Sequence, residues 1–511
     1  MSGRAVSVHA GKNAPGPRDA AWHLGRAVGL EGATADQARL DLAIHSLRRS
    51  APTLSAGLPL VPWQRAFFAG LLVAVLAGAA IAPRATLSVL MAALTLPFFC
   101  VVALRSLALW FATSPPPADS RSSRWTNAAD FEWPSYSVLV PLLREAHVVP
   151  GLVEALGALD YPEDRLEILF VVEATDPTTR AAVEEAHLAP WMRLVVVPDA
   201  APRTKPKAVN YALAEATGDL VVVYDAEDIP EPDQLRRAAC AFAEALATGS
   251  KDIGCLQARL NVYNGGSSWL ARQFTIEYTA LFDCILPTLE ALGLPVPLGG
   301  TSNHFRRSVL VASGGWDPFN VTEDADLGIR LARGGWRVGV LPSTTWEEAP
   351  VRFDIWLRQR TRWLKGWMQT FLVHTREPRR LLSELGPAGF TGFMVLMGGM
   401  CLSALVHPWF FVLAAADAAS GGLLAAPDTL VGRGIWWLGV FNLAAGYLTG
   451  AALGVMAVRR RGRLDMARHV VLMPVYWLLI SIAAYRALWQ LAVAPHLWEK
   501  TEHAARTPGA V

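Results

Sequence analysis

The chain has 511 residues, 46 Lys+Arg against 44 Asp+Glu for a net charge of +2, and 52% apolar residues. Typical soluble domains reach about 45–50% only with glycine counted in, so a disordered chain is excluded, and 34 prolines exclude a long coiled-coil rod. The near-neutral balance, with no basic stripe interleaved with aromatics, argues against a nucleic-acid partner.

In chain order, residues 1–18 are rich in Gly, Pro and Ala and predict disorder. Residues 34–49 carry helical apolar spacing behind Thr34 and predict a short amphipathic helix. The apolar excess is then clumped at 63–81, 85–111, 390–416, 434–458 and 470–493. Each stretch is near the roughly 20 helical residues that cross a hydrocarbon core. The first begins too far along the chain to read as a cleaved leader. The predicted organisation is an N-terminal segment (1–60), two spans (61–112), a globular domain (113–350), an amphipathic region (351–385), three spans (386–495) and a tail (496–511). Arg121, Arg124, Arg376, Arg379, Arg380, Arg459, Arg460, Arg461 and Arg463 all fall on one side of alternating spans. The positive-inside bias makes that side cytoplasmic, and the globular domain with it. Five cysteines form no CxxC pair and are expected to be reduced.

Within the domain, 136–141, 166–172, 192–197 and 220–224 read as buried strands, and 149–159, 178–187 and 207–216 as helices. This alternation predicts an α/β fold with a mostly parallel sheet and right-handed crossovers. Ligands of such sheets bind beyond the carboxyl ends of the strands. There the sequence places Arg144 and Glu145, then Glu173 and Asp176, then Arg203, Lys205 and Lys207, then Asp225, Glu227 and Asp228. Acids crowded at one strand end repel unless a cation sits among them, and oxygen-only ligands suit Mg²⁺ or Mn²⁺. The neighbouring bases suit a phosphate. The plain alternative is a solvated turn, because Ile229-Pro230-Glu231-Pro232 follows. There is no GK[ST] loop, which disfavours a P-loop ATPase.

Residues 353–372 place Phe353, Trp356, Trp363, Trp367 and Phe371 at helical spacing, with Arg358, Arg362 and Lys365 opposite. This is a helix suited to the membrane interface. It is either an anchor alone or an anchor that also keeps Arg362 and Trp363 in a site.

Four motifs in order carry a resemblance: Lys205-Pro206-Lys207-Ala208-Val209-Asn210-Tyr211-Ala212-Leu213, the run Tyr224–Asp228, Thr322-Glu323-Asp324, and Gln359-Arg360-Thr361-Arg362-Trp363. With them the chain resembles the processive family-2 glycosyltransferases, which include cellulose, chitin and hyaluronan synthases, and within that group the bacterial β-glucan synthase-like enzymes. The resemblance implies a GT-A-like, Rossmann-like cytosolic domain inserted between transmembrane helices at the inner membrane. It implies that Asp324 is the general base, with Glu323 and Arg362 beside it. Asp225, Glu173, Lys205, Lys207, Gln359 and Trp363 are implied to bind substrate, and Asp225, Glu227 and Asp228 to hold Mg²⁺ or Mn²⁺. Glu227 stands where the family's D-x-D motif has its second Asp. The implied donor is UDP-glucose or UDP-GlcNAc, the acceptor a growing β-glycan at the lipid bilayer, with export or regulatory partner proteins. A second possibility is single addition to a lipid acceptor such as polyprenyl phosphate or a ceramide-like lipid. A third is a non-catalytic membrane scaffold. As a helix N-cap, Thr322 would also explain the acids that follow it.

Overall fold

The computed structural model describes residues 33–58, 60–113, 131–419 and 429–499, so the disorder expected at 1–18 lies outside the described residues. An eight-stranded sheet forms the centre of the domain. Its strands are β1 (Tyr136–Leu142), β2 (Leu166–Glu173), β3 (Met192–Val197), β4 (Leu220–Val223), β5 (Ile229–Pro230), β6 (Ile253–Val262), β7 (Asn303–Arg306) and β8 (Arg337–Glu347). Their order is β3-β2-β1-β4-β7-β6-β8-β5.

The first four strands are parallel neighbours, as their continuous Val/Ile/Leu runs predict for a sheet covered on both faces. Successive side chains alternate between two cores. Val138, Val140, Ile168 and Phe170 enter one, and Leu139, Leu169, Val171 and Val195 enter the other. The far half departs from the expected parallel sheet. β7 runs antiparallel to both β4 and β6, and β5 antiparallel to β8. The result is a GT-A-like mixed sheet. Ile229 and Pro230, expected as turn residues, pair with Trp346 and Thr345.

The helix Ala33–Ser50 packs onto the domain rather than standing apart. Leu40, Ala43 and Ile44 are part of the core under β1 and β2. Arg39 pairs with Glu215, and the Tyr211 hydroxyl donates to Asp36 at 3.0 Å.

Among the described residues, five helical segments are long and apolar enough to cross a membrane: Pro62–Ile81, Ala85–Thr113, Pro378–Leu413, Leu430–Arg460 and Leu464–Val493. Leu72, Val73 and Leu76 on the first are 59–64% exposed. Such a surface is stable against lipid and costly against water. The helix Phe353–His374 runs between the domain and these segments. After it, the helical path breaks at Gly386, whose φ of 67° only glycine adopts freely, with Pro387 following.

Candidate active site

The rim of the sheet gathers most of the residues singled out in the sequence. After β4 the chain folds into a tight turn. The Asp228 N–H donates to the Asp225 carbonyl at 3.2 Å, and the Asp225 N–H donates to Asp228 Oδ2 at 2.7 Å. The Thr301 hydroxyl donates to the same carboxylate oxygen. Asp228 is therefore the lock of the turn, and the side chains of Asp225 and Glu227 project from it, half-buried.

Asp225 Oδ1 stands 2.6 Å from Lys205 Nζ. The same ammonium donates to the Gly300 carbonyl at 2.6 Å. Gly300 in turn lies against Asp324, since a Cβ built on it would stand 3.9 Å from Asp324 Oδ2. One lysine thus joins the strand-end acid to the Thr-Glu-Asp turn. Burial opposes the charge on Lys205, but Asp225, Asp324 and Glu323 together hold its proton more firmly than usual.

Asp324 sits at the start of the helix Glu323–Arg333. Burial first, and then the charge of Glu323, push its carboxyl well above the usual carboxylate range. Lys205 and the Trp316 indole N–H, at 2.8 Å from Oδ1, act the other way by favouring the ionised form. Glu323 is also raised, chiefly by burial. Asp326 does not add to this crowding, contrary to its place in the same turn. Burial would raise it, but Arg330 at 2.7 Å and His374 at 3.1 Å outweigh that and lower it. Nor does Thr322 cap the helix with its side chain. Among the described residues its buried hydroxyl has no hydrogen-bond partner, and the Gly366 backbone of the helix Phe353–His374 packs directly on it. A Cβ at Gly366 would come within 2.2 Å of Thr322 Oγ1.

The Thr-Glu-Asp turn is braced from behind by groups the motifs do not explain. Asn210 donates to the carbonyls of Ala43 and Trp316 and accepts from the Trp316 N–H at 3.0 Å. Arg330 donates to the carbonyls of Ser313 and Gly315, just before Trp316. Asn210 therefore fixes the indole that fixes Asp324.

Glu173 and Lys207 form a buried pair at 2.9 Å, with Lys207 fully enclosed. Burial raises the Glu173 carboxyl, and Lys207 acts against it. Arg362 is on the interface helix. Burial weakens its hold on its proton, while Glu323, Asp225, Asp324 and Glu227 oppose this, so its field falls on the acids of the site. Its guanidinium stacks 4.7 Å over the Trp498 ring. Gln359 is buried, with its Oε1 unpartnered. Trp363 does not present a bare ring to a sugar. It stacks on Tyr278 with centroids 6.1 Å apart, and Arg360 lies 4.8 Å over it.

Sequence reasoning missed Glu347 at the end of β8, which accepts from the Tyr278 hydroxyl at 3.1 Å. Burial, then Glu227 and Asp225, push it well above the usual range. Asp228 is raised likewise by burial, Glu347, Asp225 and Glu227. Inspecting every strand end, not only the first four, would have found Glu347.

The three-carboxylate metal set expected at Asp225, Glu227 and Asp228 is not pre-assembled. Among the described residues no group of three His, Cys, Asp or Glu side chains converges to hold an ion. Asp228 Oδ2 turns inward to its own turn, and Asp225 Oδ1 faces Lys205. Yet among the described residues the buried Asp228 Oδ1 has no hydrogen-bond partner, and the rim acids raise one another's proton affinity. That oxygen-only donor set fits a hard divalent cation.

Comparison with known proteins bears on this arrangement. Residues 134–366 match a family model described as glycosyltransferase like family 2. The probable glycosyltransferase YdaM of Bacillus subtilis is 29% identical over 283 residues, which are 54% of this chain and 66% of that protein. The beta-monoglucosyldiacylglycerol synthase of Synechocystis is 31% identical over 279 residues, 54% of this chain and 56% of that protein. A probable glucomannan 4-beta-mannosyltransferase of Arabidopsis thaliana is 27% identical over 254 residues, 48% of this chain and 45% of that protein. The chain thus spans about half to two-thirds of the length of these relatives. Among solved structures, the mannosyltransferase PcManGT from Pyrobaculum calidifontis, in complex with GDP-Man and Mn²⁺, aligns with a TM-score of 0.46 at 23% identity, covering 78% of this chain and 99% of that one. The matched segment, residues 134–366, contains all eight strands of the sheet and its acid-lined rim.

Proposed function

We propose that the protein is a membrane-bound, inverting hexosyltransferase that moves a sugar from a UDP-sugar to an acceptor presented at the cytoplasmic face of the inner membrane. The observation that carries this reading is the bridge from Asp225 through Lys205 and Gly300 to Asp324. It supports the reading because it brings the Asp225–Lys205 pair beside a carboxylate of raised proton affinity.

In the proposed reaction Asp324 takes the proton of the acceptor hydroxyl as its oxygen attacks the anomeric carbon. The bond from that carbon to the diphosphate breaks, and a single displacement inverts the centre. Lys205 and Arg362 face the negative charge that departs. Glu173 and Lys207 border the nucleotide side. Mg²⁺ or Mn²⁺ held by Asp225, Glu227 and Asp228 Oδ1 would neutralise the diphosphate.

The order of the four motifs favours a growing β-glycan as acceptor, with processive synthesis and export. A lipid acceptor is the second reading. It is favoured by the apolar cavity that reaches Trp363 from the membrane side and by the relatives named beta-monoglucosyldiacylglycerol synthase. The test is UDP release from purified protein with UDP-glucose, UDP-GlcNAc and UDP-galactose, followed by product analysis. Long polymer supports the first acceptor and a single glycolipid the second. No release with any donor, in the presence of Mg²⁺ and Mn²⁺, refutes transfer and leaves the scaffold.

A further inference from the structure

A cavity of about 270 Å³ lies between the candidate spans and the helix Phe353–His374. Most of its wall is apolar, with Leu94, Phe98, Leu443 and Ile480 typical. The charged groups in the wall are Arg105, Arg360 and Glu277, two cations against one anion. Glu277 is committed. It accepts from both terminal nitrogens of Arg360, at 2.9 and 2.6 Å, and from the Tyr476 hydroxyl at 2.8 Å.

Arg105 is different. It lies within the span Ala85–Thr113, about 12 Å from its Thr113 end at 1.5 Å per residue. Its guanidinium stacks over the Trp477 ring at 5.1 Å. Among the described residues it makes no hydrogen bond and no ion pair. The charge of Glu277, already bidentate to Arg360, also acts on Arg105, so two cations share one anion at membrane depth, and such residues face partners or pathways. A neutral glycan would leave its charge unmatched, and the apolar wall offers few groups to hydrogen-bond a sugar chain. Diacylglycerol would fill the wall and ignore the arginine. An acyl or prenyl chain carrying a phosphate satisfies both, because a guanidinium grips phosphate through two parallel hydrogen bonds.

We propose that this cavity binds a phosphate-bearing lipid, with the phosphate on Arg105 and the chain along Phe98 and Leu443. The proposal rests on the lipid-acceptor reading of this same cavity, and occupancy measured without a donor sugar separates its failure from a failure of turnover.

The test is native mass spectrometry of the full chain in detergent, doped separately with phosphatidylglycerol, a polyprenyl monophosphate and diacylglycerol. At least one phosphate-bearing lipid is expected to bind about tenfold more tightly than diacylglycerol. Preference between the two phosphate lipids identifies the source. Arg105→Gln is expected to abolish the tenfold preference, and Arg105→Lys to keep part of it. Equal binding of diacylglycerol, or an undiminished preference in Arg105→Gln, overturns the proposal. If Arg105→Gln does not fold, loss of preference on Leu443→Trp, which fills the same cavity, decides instead, and unchanged binding there is equally fatal to it.

Discussion

Replacing Trp316 by Phe isolates what tunes the candidate base. Trp316 is only 1% exposed, and its ring meets Phe305 edge-on at 5.7 Å, a contact a phenyl ring can largely keep. What is lost is the N–H that donates to Asp324 Oδ1 at 2.8 Å. A hydrogen bond to a charged group is worth about 1.5–3 kcal/mol, and 1.36 kcal/mol corresponds to one pKa unit, so the Asp324 pKa rises further by ~1–2 units. The sign follows from the direction of the bond. The indole stabilises the carboxylate, so removing it favours the protonated acid, and a base must be ionised to act. The acid limb of kcat/KM against pH therefore moves to higher pH by the same amount. Below that limb the rate falls about tenfold for each unit moved. UDP release measured across pH, with a thermal midpoint to show folding, is the assay. A folded Trp316→Phe protein whose acid limb stays in place would falsify the assignment of Asp324 as the base.

Four further outcomes are expected. Asp324→Asn keeps the fold but lowers UDP release by about 10²–10⁴-fold, the range of general-base contributions; near-normal turnover removes the role. Lys207→Met leaves the buried Glu173 carboxylate unpaired and costs about 3–5 kcal/mol, seen as a lower thermal midpoint. Adding Glu173→Gln should recover much of that loss, and no recovery means that the pair is not the cause. Gly366→Ala drives a methyl into Thr322 and should cut activity sharply, whereas Gly434→Ala, with nothing within 4 Å, should be silent; equal effects contradict the packing. Chelation should stop UDP release and added Mg²⁺ or Mn²⁺ restore it, with Asp225→Ala unresponsive. Full activity in chelator contradicts the metal reading.

The parallel half of the sheet was legible because its strands are buried on both faces and so read as unbroken apolar runs. β7, with the sequence Asn-His-Phe-Arg, was not. Its buried histidine is satisfied by partners far away in the chain, Tyr136 at 2.6 Å and Gln234 at 3.2 Å, and no local pattern announces that. Likewise, Asp225, Lys205 and Asp324 were readable as charged residues at strand and helix ends. The bridge among them runs through Gly300, whose contribution is a backbone carbonyl and an absent side chain. Nothing in the sequence singles out Trp316, because only the fold turns its N–H toward Asp324. The three acids of the expected metal set do not converge in advance, for a local reason. Three acids in four residues need not face one point when the last of them closes the turn.

The N-terminal helix Ala33–Ser50 changes what counts as the enzyme unit. Ala43 offers its carbonyl to Asn210, the residue that also clamps Trp316, while Leu40 and Ile44 fill the sheet's underside. Excising the catalytic portion at the edges of its family signature would strip away a wall of its own interior. Domain exchange between relatives must therefore carry this helix along, even though some eighty residues and two hydrophobic segments separate it from the first strand it supports.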